Sequence, residues 1–193
     1  MNTVSPELDR RFRDAAAATG LLDVAYDLVD SPVGTLLVAV SERGLCKISF
    51  DPDDRLEPLA RAYGTRILRT AKPVDPVRRQ LDEYFEGERH DFELPLDLTV
   101  SGFYAQVLDE LARVPYGETT TYGALAARTG HPKAARAIGT VMHNNPVPIV
   151  LPCHRVIGST GSLTGYGGGL EAKRFLLELE RGATLFQVES PSR

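Results

Sequence analysis

Pro146-Val147-Pro148-Ile149-Val150-Leu151-Pro152-Cys153-His154-Arg155-Val156 is an apolar run that ends in a thiol flanked by a histidine and an arginine. Its prolines fix backbone φ at about −65° and restrict the residues before them. The segment therefore reads as a stiff, buried, strand-like lead into a tight turn. A cysteine delivered that way is either a reactive nucleophile or a small inert core residue, and spacing alone leaves both open. Free cysteine, with a pKa of about 8.5, is only a few per cent thiolate at neutral pH, so reactivity requires a nearby base or positive charge. His154 is the nearest candidate base. Adjacent residues on an extended segment point to opposite faces, which argues against direct contact between the two side chains. Glu180, near the end of the last helix, is the candidate acid to orient the imidazole in a Cys-His-acid relay.

Upstream of this stretch the pattern is helical. Residues 103–114 carry Phe103, Val107, Leu108, Leu111 and Ala112 at helical spacing behind Ser101 as N-cap. A short alanine-rich helix over 122–128, capped by Thr121, and a second over 132–143 flank Thr129-Gly130-His131-Pro132 and together resemble a helix-turn-helix. Downstream, Gly158 to Gly169 is a glycine-rich loop with one tyrosine, Tyr166, and its spacing matches neither a P-loop nor a dinucleotide fingerprint. A final helix over 170–181 buries Phe175, Leu176 and Leu179. The first half reads differently. Strand patterns at 24–29, 34–40 and 44–50, joined by short turns, predict an antiparallel meander. Helices follow at 54–63 and at 76–85, the latter with Asp75 as N-cap and Pro76 at its first position, with a short strand at Ile67-Leu68 between them. Residues 92–96 read as a linker or edge strand. The expected organisation is an extension at 1–22, an α/β domain at 23–96, a mostly helical domain at 101–182 and a tail at 183–193.

The chain has 193 residues, 42% hydrophobic and 25% charged, ordinary values for a globular protein. No apolar run approaches the ~20 residues needed to cross a bilayer, and residues 1–20 lack the apolar core of a secretory signal. Cys46 and Cys153 form no Cys-x-x-Cys pair. No metal site and no cofactor is expected, and a reducing, cytoplasmic setting fits best. Net charge is −4, yet between Arg113 and Arg155 the bases Arg113, Arg128, Lys133, Arg136 and Arg155 face the single acid Glu118. A locally basic face on an acidic protein suits an anionic partner.

Pro152-Cys153-His154-Arg155-Val156 resembles the active-site signature of the O6-alkylguanine-DNA alkyltransferases, the methylated-DNA–protein-cysteine methyltransferases. The resemblance extends through Val114-Pro115-Tyr116-Gly117, Thr121-Tyr122-Gly123, Pro132-Lys133-Ala134-Ala135-Arg136-Ala137-Ile138-Gly139, Asn145-Pro146, Gly165-Tyr166-Gly167-Gly168-Gly169 and Leu176-Leu177-Glu178-Leu179-Glu180. It is dense over 101–182 and looser over 23–96. It implies a ribonuclease H-like N-terminal domain and a winged helix-turn-helix-like C-terminal domain. It also implies direct repair: duplex DNA is bound, the alkylated guanine is flipped out, and the alkyl group passes from O6, or from O4 of thymine, irreversibly to Cys153.

By the same resemblance His154 is a base acting through water, Glu180 its support and Asn145 a brace. Tyr122 assists the leaving guanine, and Arg136 fills the gap in the stack. Lys133, Ala134, Ala135, Ala137, Gly139 and Thr121 form the DNA face, with the second helix in the minor groove. Tyr122, Met142, Val156, Tyr166, Gly167 and Gly168 line the base pocket. The expected species is a monomer, with cooperative binding along DNA left open. Two other classes compete. A thiol hydrolase needs an oxyanion hole and a peptide-like cleft, and no stretch points to either. A non-enzymatic helix-turn-helix module that binds or flags damaged DNA is the alternative.

Overall fold

Leu36 to Val40 is an apolar run too short for a stable helix, and it forms the heart of a sheet. In the computed structural model, which describes residues 5–182, the strands β1 (Val24–Val29), β2 (Leu36–Ser41), β3 (Gly44–Ser49) and β4 (Ile67–Arg69) lie in the order β3-β2-β1-β4. Strand β2 is buried on both faces. Leu36, Val38 and Val40 enter the main core, while Leu37 and Ala39 pack with Val24, Cys46 and Leu59 on the opposite side. The first three strands form the expected antiparallel meander. The sheet as a whole is mixed, because β4 runs parallel to β1, with Val24 opposite Ile67. The chain passes through helix α2 (Glu57–Tyr63) before β4, and a crossover of that length returns a strand in the parallel sense.

An extension helix, α1 (Pro6–Ala18), precedes the sheet, and Arg13 of α1 donates to the Arg69 carbonyl at 3.0 Å. Helix α3 (Asp75–Phe85) starts one residue earlier than expected, since turns closing on the Ala71 carbonyl already wind the chain. Asp75 is therefore the first helical residue, an acid favourable to the dipole there, and not a side-chain cap. Residues 95–97 cover the edge of β3: Leu45 N–H donates to the Pro95 carbonyl at 2.8 Å, and Asp97 N–H to the Leu45 carbonyl at 2.9 Å. The backbone passes so close that a Cβ at Gly44, itself at φ 144°, would lie 2.2 Å from that Pro95 oxygen.

The second half holds α4 (Gly102–Ala112), β5 (Thr120–Thr121), α5 (Tyr122–Arg128), α6 (Ala135–His143), a 3-10 turn at Cys153–Arg155, β6 (Val156–Ile157) and α7 (Gly169–Glu180). Helix α5 has the expected bounds, and the Thr121 hydroxyl accepts from Ala124 N–H at 3.1 Å. Helix α6 starts three residues later than expected, because His131 to Ala134 closes a turn of its own (Ala134 N–H to the His131 carbonyl, 2.8 Å). Helix α7 is rotated from the expected face. It buries Ala172, Lys173, Leu176, Leu177 and Glu180, leaving Phe175 and Leu179 at its margin. Strands β5 and β6 pair in parallel, with Thr120 opposite Val156. That pairing sets the start of α5 beside the cysteine turn. One buried cluster runs through both halves, from Ala25 and Val38 to Leu111, Ile138 and Leu176. The tail expected at 183–193 lies outside the described residues.

Candidate active site

The lead into Cys153 is a loop and not the strand-like segment expected. Leu151 N–H donates to the Val147 carbonyl at 2.9 Å, closing a turn in which Ile149 has φ 74°. A β-branched residue held there costs on the order of 1–3 kcal/mol, and complete burial of the Ile149 side chain offsets it. Asn145 spans the turn. Its amide nitrogen donates to the Leu151 carbonyl at 2.8 Å, and its oxygen accepts from Val147 N–H at 3.2 Å. Pro152, at φ −82° and ψ 62°, then forms an inverse γ-turn in which Cys153 N–H donates to the Leu151 carbonyl at 2.8 Å. Cys153, His154 and Arg155 follow as one turn of 3-10 helix. Successive side chains there diverge by about 120°, so the opposite-face geometry of an extended chain does not apply to Cys153 and His154.

His154 and Glu180 are both buried, and Nε2 of His154 lies 2.7 Å from Oε1 of Glu180. Arg155 binds the same carboxylate through two nitrogens, each at 2.9 Å, and donates to the Val114 carbonyl at 2.5 Å. Gly117 N–H reaches Oε2 at 3.2 Å, and the Tyr84 hydroxyl reaches Oε1 at 2.7 Å. Burial on its own would raise the Glu180 carboxyl, but the hydrogen bonds from His154 and Arg155 bring it down to about 2. An anionic carboxylate can only accept, so Nε2 of His154 carries the hydrogen. Burial pushes the imidazole pKa down despite Glu180, which keeps the ring neutral. The lone pair is thus on Nδ1, which is buried with no hydrogen-bond partner among the described residues.

Cys153 is 5% exposed. Burial pushes its thiol up to about 11, against the pull of the Asn145 amide and the Lys173 ammonium. The resting sulfur is therefore a thiol, and a base must remove its proton when it reacts. Lys173 is fully buried and donates to the carbonyls of Val156 at 2.7 Å and Thr164 at 3.1 Å, which ties β6 to the glycine-rich loop. Thr164 in turn shares a hydrogen bond with Tyr122, oxygen to oxygen 2.8 Å. Met142 and Val156 are buried in the same core cluster as Cys153. The Tyr166 hydroxyl is enclosed without a partner among the described residues, and its ring packs against Phe50 (5.2 Å) and His154 (6.3 Å). Gly168 is required by Phe50: a Cβ there would sit 2.7 Å from the ring. Gly167 is looser, at 3.9 Å. A groove of about 700 Å³ runs between the halves past Phe50, Asn145, Pro146, Gly167 and Gly168, and Cys153 does not line it. Cys46 is inert, buried with its sulfur on the Ala39 carbonyl at 3.2 Å and its thiol pushed up to about 12 by burial. No group of three or more His, Cys, Asp or Glu among the described residues is arranged to hold a metal ion.

The helix pair presents Lys133, Arg136, Ala137 and Thr140 outward, with Ala134, Ala135, Gly139 and Thr121 half-buried behind them. Arg136 pairs with no acid among the described residues. The expected basic face is smaller than the sequence implied, since Arg155 is buried on Glu180 and Arg113 is paired with Glu110.

Two family models match the chain. The ribonuclease-like domain of 6-O-methylguanine DNA methyltransferase covers residues 24–98, and the DNA binding domain of the same family covers 102–182. The chain belongs to the 6-O-methylguanine DNA methyltransferase family. It is 42% identical to a methylated-DNA–protein-cysteine methyltransferase of Methanosarcina barkeri, over 80% of this chain and 96% of that one. It is 44% identical to one of Mycolicibacterium paratuberculosis, over 82% and 93%. Among solved structures, Mycobacterium tuberculosis OGT in complex with DNA aligns with a TM-score of 0.74 at 39% identity, covering 82% of this chain and 94% of that one. In this 6-O-methylguanine DNA methyltransferase family member, a cysteine, a histidine and a glutamate stand at the site described. Three buried groups of that site escape the sequence reading: Arg155, Lys173 and Tyr84. A signal existed for Lys173, which stands seven residues before Glu180 on one helical stripe. None existed for Tyr84, which lies 96 residues from its partner.

Proposed function

We propose that the chain repairs alkylated duplex DNA directly, in one irreversible turnover, by moving the alkyl group from O6 of guanine to Cys153. The activity rests on its membership of a family whose relatives bear that name, and the duplex partner accords with a similar protein solved on DNA. The observation that carries the mechanism is the single lone pair on His154 Nδ1, fixed by the Glu180 bond on the other nitrogen. A water between Nδ1 and the sulfur passes the thiol proton on to Nδ1, which leaves a thiolate and an imidazolium held by Glu180. The thiolate attacks the alkyl carbon, the S–C bond forms and the C–O6 bond breaks, with its electron pair left on guanine. Tyr122 hydrogen-bonds the leaving base, and the proton taken from the thiol returns from the His154 imidazolium to neutralise the guanine. The thioether has no route back to the thiol, so each molecule acts once. Because Cys153 is buried, the guanine has to be brought out of the stack to it.

Arg136, exposed and unpaired on α6, fills the gap in the stack, and Lys133, Ala134, Ala135, Ala137, Gly139 and Thr121 approach the backbone and groove. Asn145 braces the loop. Tyr122, Met142, Val156, Tyr166, Gly167 and Gly168 form the base pocket. Residues 23–96 and 101–182 are the proposed domains, acting as a monomer. No helix among the described residues is long and apolar enough to cross a membrane; a cytoplasmic setting is proposed with it.

His154→Gln tests the relay. Transfer at neutral pH is expected to fall by about 100-fold or more and to recover in part at high pH, where the thiol ionises without help. Single-turnover rates from pH 6 to 10 read this, and an equal loss at every pH would exclude His154 as the base.

A further inference from the structure

We infer that Tyr84, on α3 in the first half of the chain, is a positioning residue for alkyl transfer: by donating to Glu180 it sets how firmly that carboxylate holds the proton on His154. The inference rests on the reading of His154 as the base. Tyr84 is completely buried, its ring packed among Phe85 (5.4 Å), Phe92 (5.4 Å) and Tyr116 (6.1 Å). For that packing a phenylalanine suffices, and a hydroxyl in such surroundings is costly unless it is bonded. Its partner is Oε1 of Glu180, at 2.7 Å. The same oxygen receives Nε2–H of His154 at 2.7 Å and Arg155 at 2.9 Å. Three donors share one oxygen, so each weakens the hold of the others. Burial and the Glu180 charge push the Tyr84 phenol far up, so it remains a donor at every working pH.

The charged and titratable groups that face His154 come from several elements. Cys153 and Arg155 share its turn. Glu180 and Lys173 come from α7, and Tyr166 from the loop before it. Tyr84 acts through Glu180 from across the interface between the halves. Glu180 favours the imidazolium, while Arg155 and Lys173 oppose it. Removing the Tyr84 hydroxyl frees part of the Glu180 oxygen for His154, which stabilises the imidazolium and raises the pH at which the base is lost. The first half of the chain thereby tunes chemistry carried out in the second.

The test uses the full chain in three forms: Tyr84→Phe, the natural protein, and a chain with 3-fluorotyrosine at position 84, a stronger donor. The titration midpoint of His154, followed by NMR, is expected to be highest for Tyr84→Phe, about one pH unit above the natural protein, and lowest for the fluorinated chain. The acid limb of the single-turnover rate is expected in the same order. A role in packing alone would lower stability without moving either midpoint, and equal midpoints would overturn the proposal. If Tyr84→Phe does not fold, the fluorinated chain against the natural one decides on the same criterion. An ordered NMR midpoint with an unmoved rate limb would uphold the Tyr84 link and refute His154 as the base.

Discussion

Glu180 is the residue on which the site closes, with Tyr84, His154, Arg155 and the Gly117 amide all directed at one carboxylate. Its carboxyl is held at about 2 against an ordinary 4.5. A depressed acid stabilises the fold above the unfolded value and stops doing so as pH falls through the folded one, so this contribution is lost between about pH 4.5 and 2. Glu180→Gln is expected to cost about 3–5 kcal/mol at neutral pH, because Arg155 is left buried without a counter-charge. Urea unfolding measured across that pH window should also show a flatter dependence than the natural chain. Lys173→Met is expected to cost about 1–3 kcal/mol by leaving the Val156 and Thr164 carbonyls unbonded and to slow transfer as the loop holding Tyr122 loosens. Thermal melts and single-turnover rates check both. At this scale the sequence was informative where the residue type is rare and chemical. Cys153, His154 and Glu180 could be named in advance. Arg155 looked like part of a basic surface, because nothing local to it says that an acid 25 residues on will bury it.

At the scale of elements, periodicity located the helices, and the cap at Thr121 fixed the start of α5. Thr121→Ala is expected to lose about 1 kcal/mol of unfolding free energy, measured by urea titration. Helix starts elsewhere shifted where a turn preceded the helix, as at Ala71–Asp75 and His131–Ala134. The larger misreading was the loop at 145–151. A buried apolar run with prolines has the same composition whether it is a strand or a tight turn. The usual sign of a positive φ is glycine or asparagine, and here the position is taken by Ile149. Asn145 holds that conformation from both ends. Asn145→Ala is expected to cost about 2 kcal/mol, from two lost hydrogen bonds in a partly buried loop, and to slow alkyl transfer by displacing the sulfur. Denaturant unfolding read beside transfer kinetics separates the two effects.

Across the whole molecule, the two halves meet at the chemistry. Ile48 N–H of β3 donates to the Pro146 carbonyl at 2.8 Å, Phe50 lies on Gly168, and Tyr84 reaches Glu180. Strand existence was legible in the first half from short apolar runs bounded by turns. The parallel seat of β4 and the contacts between halves were not, since they depend on partners distant in the chain. The surface we propose for DNA centres on two exposed bases, Lys133 just before α6 and Arg136 on it, on a chain of net charge −4. Arg136→Ala is expected to lower duplex affinity and the repair rate on duplex by about tenfold while sparing reaction with free O6-alkylguanine; binding titrations and rates on both substrates check this. The most direct measurement is incubation of the full chain with excess duplex DNA carrying radiolabelled O6-methylguanine, counting label on the protein over time. Label should rise to one methyl per molecule, stop there, map to Cys153 and be absent from Cys153→Ala. Continued turnover, label on another residue, or duplex binding with no label on the protein would contradict alkyl transfer to Cys153.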